Sequence, residues 1–114
     1  MVAVKQRFVK PEKSARAIEE SLCRALLSMT TVAEMRAFLR DLCTPAEIEA
    51  ITDRWSVVPY ILQGLPYREI HARTAVSITT IGRVARFLKS GNGGYLEAAA
   101  RASKPLAARK REPA

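Results

Sequence analysis

Apolar residues through the middle of the chain recur every three or four positions, the period of α-helices packed along one face. Ile18, Leu22, Leu26 and Met29 form the first such face, in a helix read from about Pro11, and Thr30 and Thr31 interrupt it. Thr31 fits an N-cap, with Glu34 three residues on to complete a capping box. Met35, Phe38, Leu39 and Leu42 are the face of the helix that follows. The next start signal is stronger. Thr44 fits an N-cap, Pro45 a first helical position and Glu47 a second capping box. The stripe Ile48, Ile51, Trp55, Val58 and Leu62 is expected to be buried, and Gly64 ends the helix. Pro59 falls inside it and should bend it, because its ring removes one backbone hydrogen bond.

Two shorter helices come next, in "YREIHARTAVSITTIGRVARFL". Pro66 can start the first, to about Arg73, and Ser77 caps the second, to about Lys89. Neither is long enough to persist alone in water. Ile70, Val76, Ile81, Val84 and Leu88 fall on inward positions, which leaves Thr79, Thr80, Arg83 and Arg86 outside with Gly82 beside them. A three- to four-residue turn between two such helices is the pattern of a helix-turn-helix, here over residues 66–89. Ala75 stands at the turn position where glycine is usual. The segment "SGNGG" at 90–94 reads as a turn before a last helix in "YLEAAARAS". No strand alternation and no repeat is present. The expected architecture is all-α: a basic arm at 1–11, a helical domain at 12–102 and a disordered basic tail at 103–114.

Charge sharpens this picture. The 114 residues carry a net charge of +8. Before Gly64, nine Lys and Arg face eight acids, whereas from Gly64 onward ten face three. The excess therefore lies in the half that holds the helix-turn-helix, which points to an anionic partner, nucleic acid first. Short hydroxyls and guanidiniums suit the DNA major groove, since Thr can bond a base edge or touch a thymine methyl and Arg can grip guanine twice. Ser77 to Thr80, at the helix start, are expected nearest the bases. Tyr67, Arg68, Arg73 and Lys89 are expected to hold phosphates, which position without specifying. The alternative is a non-enzymatic interaction module that docks on RNA or on an acidic protein.

The remaining chemistry excludes more than it offers. Cys23 and Cys43 occupy apolar helical positions and are read as core thiols of a reducing compartment. His71, the sole histidine, has no second ligand or nucleophile beside it and is read as a surface or phosphate-adjacent group. There is no glycine-rich phosphate cradle, no metal-ligand spacing and no nucleophile–base arrangement, so no enzyme, metal or cofactor is expected. With no signal peptide and no apolar stretch of the ~20 residues a membrane span needs, a cytoplasmic, nucleoid-associated protein is expected. A small helical chain of this size often extends its core by dimerising.

Residues 42–95 resemble the tryptophan repressor family, in particular its TrpR-like YerC/YecD branch. The motifs that carry the resemblance are "TPAE", Arg54, "LQG", "REI", "ITTIGR" and "GNGGY". It implies an intertwined homodimer whose helices before Gly64 form a shared core and whose subunits each present one helix-turn-helix. By the same resemblance Tyr67 and Arg68 approach the operator ahead of the recognition helix, and Ile78, Thr79 and Thr80 form its base-proximal start. Gly82 falls where the repressor has Thr. The family holds the indole of tryptophan between two arginines, which match Arg54 and Arg83, and Thr44 matches another pocket residue. Val84 replaces a small Gly and Phe87 replaces a Ser, and this added bulk fills the space and removes a polar partner. The candidate effector pocket of Thr44, Arg54, Arg83, Val84 and Phe87 is therefore expected to take a small molecule other than tryptophan, or none. A salt bridge from Arg54 to Glu47 or Asp53 is the structural alternative.

Overall fold

The computed structural model describes residues 9–103, and within them the chain is helical, with seven helices and no strand. The basic arm and tail read from the sequence fall almost wholly outside the described residues. The chain divides into two compact units between Leu42 and Cys43.

The first unit holds α1 (Ala15–Leu27) and α2 (Val32–Leu42). Helix α1 starts later than Pro11 because Ser14 caps it, its hydroxyl accepting the Ala17 N–H at 3.1 Å. Before α2, the Thr31 hydroxyl accepts the Glu34 N–H at 3.0 Å, as a capping box requires. The Glu34 carboxylate reaches one residue further back than expected and accepts both the N–H and the hydroxyl of Thr30, each at 3.0 Å. Those bonds hold its carboxyl below the ordinary 4.5. No side chain of α1 or α2 is buried, and Ile18 and Leu22 on the apolar face of α1 stay exposed. Cys23 lies on the same helix and is exposed as well, while Cys43 is half-buried, so Cys23 is not a core thiol of this chain. Its position repeats with the helix period, but no described residue of its own unit covers it.

The second unit holds α3 (Pro45–Ser56), α4 (Val58–Leu62), α5 (Tyr67–Thr74), α6 (Ile78–Ser90) and α7 (Gly94–Ala102). The capping box at the start of α3 is complete. Thr44 accepts the Glu47 N–H at 3.2 Å, and Glu47 accepts the Thr44 N–H at 2.8 Å. That bond also lowers the Glu47 carboxyl from 4.5. The expected bent helix is instead two. Helix α3 ends at Val57, and Pro59 lies in the first turn of α4, where a missing N–H has no partner to lose. Gly64, at φ +78°, then stops α4.

The core comprises Val57, Val58, Ile70, Val76, Ile81 and Val84, with Tyr60, Ile61, Leu65, Leu88, Tyr95 and Ala99 packed against it. It therefore sits directly under the helix-turn-helix. Of the stripe read on residues 48–62, Val58 enters this core, whereas Ile51, Trp55 and Leu62 remain exposed. Among the described residues of this unit, none covers those three.

Candidate nucleic-acid interface

Helices α5 and α6 are joined by Ala75, Val76 and Ser77. Ala75 ends α5 in the left-handed conformation, φ +63° and ψ +5°, and its N–H bonds the His71 carbonyl at 2.8 Å. A residue with a Cβ is strained there. Three side chains hold the turn in place. Val76 is buried beneath it. The Thr74 hydroxyl donates to the Ile70 carbonyl at 2.7 Å and accepts the Val76 N–H at 3.1 Å. His71 Nδ1 lies 2.7 Å from the Val76 carbonyl. A carbonyl only accepts, so Nδ1 carries a proton. His71 is thus a turn strap, and its surface position comes with a structural task that the sequence did not reveal.

Ser77 caps α6. Its hydroxyl accepts the Thr80 N–H at 3.1 Å and donates to Thr80 Oγ1 at 3.0 Å. Beyond the cap, Ile81 and Val84 are fully buried and fix which side of α6 faces in. At about 100° per residue, Ile78, Thr79, Gly82, Arg83, Arg86 and Lys89 share the opposite side. Of these only Gly82 is shielded in part, and the others are exposed. Ile78 keeps 45% of its surface in water at the helix tip. Among the described residues no ion pair engages Arg68, Arg83, Arg86 or Lys89, whereas Arg73 is held by Glu69 at 2.6 Å. Arg73 is therefore a weaker phosphate candidate than its charge implied. At the far end Gly91 closes α6. A Cβ there would lie 2.3 Å from the Phe87 carbonyl oxygen, so no other residue fits this backbone unchanged.

The candidate effector residues are not all brought together. Arg54 and Thr80 line one cleft of about 240 Å3 between α3 and α6, with Ala46, Glu49, Ala50 and Asp53. Thr80 thus turns half-buried toward α3 rather than fully outward. Arg54 makes no ion pair with Glu47 or Asp53, and Glu47 is engaged by its cap. Thr44 spends its hydroxyl on the cap of α3. Val84 lies in the core. Phe87 lines a different, apolar cleft with Trp55 and Tyr95, and the Arg83 guanidinium stacks on its ring, 4.7 Å from the centroid. The spacing of Arg83 and Phe87, four apart on a helix, was the available signal for that contact. Among the described residues no group of three or more His, Cys, Asp or Glu could hold a metal ion, and no helix is long and apolar enough to cross a membrane.

The sequence and the fold of this chain have counterparts in known proteins. The Trp repressor protein family matches residues 17–103. The uncharacterized protein YerC of Bacillus subtilis (strain 168) is 36% identical over 76 residues, which cover 67% of this chain and 73% of that protein. The crystal structure of a candidate Trp repressor from Staphylococcus aureus superposes with a TM-score of 0.72 at 35% identity, covering 75% of this chain and 86% of that one. Family, relative and fold agree, and the chain belongs to the Trp repressor family as a TrpR-like protein of the YerC type.

Proposed function

We propose that this chain is a sequence-specific DNA-binding transcriptional regulator, a repressor, that acts as a homodimer on a pseudo-palindromic operator. One observation carries the reading: α6 is anchored by two fully buried residues and exposes, on its other side, Thr79 and three cations that no described residue engages in an ion pair. Exposed cations on a rigid helix attract phosphates, and the side chains nearest the cap of α6 can reach base edges. Ile78 and Thr79 are base-proximal, Arg83 and Arg86 read or clamp, and Arg68, Lys89 and Tyr67 approach the strand. Ser77 acts chiefly by holding the helix start. Thr80 is shared between the groove side and the cleft beside Arg54.

The dimer is supported by the apolar side chains each unit leaves in water: Ile18 and Leu22 in the first, Ile51, Trp55 and Leu62 in the second. A two-fold pair would set its two recognition helices about one helical turn of DNA apart. Tryptophan is not the effector on this reading. Val84 occupies the interior, and the face of Arg83 is already taken by Phe87.

Selection of bound duplexes from a random library, followed by titration of the enriched site, random duplex and structured RNA, tests the proposal. An enriched pseudo-palindrome that loses affinity when five base pairs separate its halves is the expected outcome. Equal binding of all duplexes with a steep salt dependence would contradict sequence reading. Preference for RNA would favour the interaction-module alternative.

A further inference from the structure

Gly82 lies in the middle of the exposed side of α6, one turn beyond Ile78 and one turn before Arg86. Glycine in a helix interior is destabilising, because it is the residue that loses most freedom on folding. Its place here has a visible occupant. A Cβ built on Gly82 would meet Cε2 of Tyr67 at 4.0 Å, so the Tyr67 ring lies against the gap that the missing side chain leaves. Tyr67 is the first residue of α5, yet its ring lies beside the recognition helix with 41% of its surface open to water. An alanine would still fit beneath the ring at ordinary contact distance, whereas the γ atoms of a larger residue would compete with it for the same space. The result is a row along α6 that runs from the exposed Ile78, past the Tyr67 ring, to Arg86.

We propose that Tyr67, seated against Gly82, is a specificity-determining residue that reads a thymine methyl group in each operator half-site. The inference rests on the DNA-binding reading above and changes the part Tyr67 plays in it, from holding a phosphate to touching a base. The chemistry follows from the face itself. Most of its other side chains are hydroxyls and cations, which seek base-edge donors, acceptors and phosphates, and the one other apolar side chain, Ile78, sits at the helix tip a turn before the Tyr67 ring. An exposed aromatic ring offers an apolar surface, and the thymine C5-methyl is the apolar group of the major groove.

Uracil in place of thymine removes that methyl and changes nothing else in the duplex. The test replaces each thymine of the enriched operator in turn and measures affinity for the wild-type protein and for Tyr67→Phe, Tyr67→Ala, Gly82→Ala and Gly82→Thr, with circular dichroism to verify folding. At one thymine per half-site the wild type should lose affinity about fivefold or more. Tyr67→Phe and Gly82→Ala, which keep the ring in place, should retain that loss. Tyr67→Ala and Gly82→Thr should bind the thymine and uracil duplexes equally while still preferring the operator to random DNA. A wild type indifferent to uracil throughout, or a thymine preference that survives Tyr67→Ala and Gly82→Thr, overturns the inference and leaves sequence-specific binding standing. A wild type that selects no operator removes both.

Discussion

Replacing Ala75 with glycine should stabilise this protein, although it deletes a methyl group. Ala75 sits at φ +63° and ψ +5°, the left-handed region that ends α5. For an L-residue with a Cβ that conformation costs roughly 1–2 kcal/mol. Glycine avoids this cost but gives up about 0.5–1 kcal/mol through its more flexible unfolded state. The difference is a gain of about 0.5–1 kcal/mol, a rise in melting temperature of roughly 2–8 °C for a unit of this size. The bonds that brace the turn run from Thr74 and His71 to the backbone and are untouched by the change. Urea denaturation at fixed protein concentration is the assay, because the homodimer proposed above would make stability depend on concentration. The midpoint should rise with an unchanged slope. Ala75→Val should fall instead, since a β-branched side chain is disfavoured at positive φ. A glycine variant equal to or weaker than the wild type would refute the strain argument.

Other expectations concern the ends of helices and the charges. Gly91→Ala places a Cβ 2.3 Å from the Phe87 carbonyl oxygen and should cost on the order of 1–3 kcal/mol in thermal unfolding. Glu34 and Glu47 are both held below 4.5 by hydrogen bonds to Thr30 and Thr44. Their folded values are lowered, so the stability they add is present above about 4.5 and fades as pH drops through the lowered folded values. A Glu34→Gln, Glu47→Gln variant should show a shallower loss of melting temperature on the acid side, and an unchanged slope would count against the caps. Lys89→Ala should weaken operator and random duplex alike and reduce the salt slope by about one. A loss confined to the operator would make Lys89 a base reader instead.

How much of this was legible in the sequence depended on whether the interaction was local. Thr44 and Glu47 lie within one turn, and the inward set Ile70, Val76, Ile81 and Val84 follows from the apolar period of two successive short helices, and all are found as read. Ala75 was legible as a misfit in its turn. The break at Val57 was harder, because Pro59 is compatible with a bent helix or with the first turn of a new one, and sequence period alone does not choose. Apolar period likewise marks Ile51, Trp55 and Leu62 as one face without saying what covers it. The side-chain pairs that shape the site were hidden for a different reason. His71 bonds across the turn, and Tyr67 reaches a gap fifteen positions further along, so both need the angle between α5 and α6 before they can be seen.

If the exposed side of α6 reads base sequence, removing the Arg83 guanidinium should show it. Affinity should be measured for the wild type and Arg83→Ala, on the enriched operator and on random duplex, at one salt concentration. The wild type should prefer the operator by about a thousandfold or more. Arg83→Ala should lose about 1–3 kcal/mol on the operator, with a much smaller loss on random duplex. Equal losses on both duplexes, or no loss on either, would contradict base reading by α6.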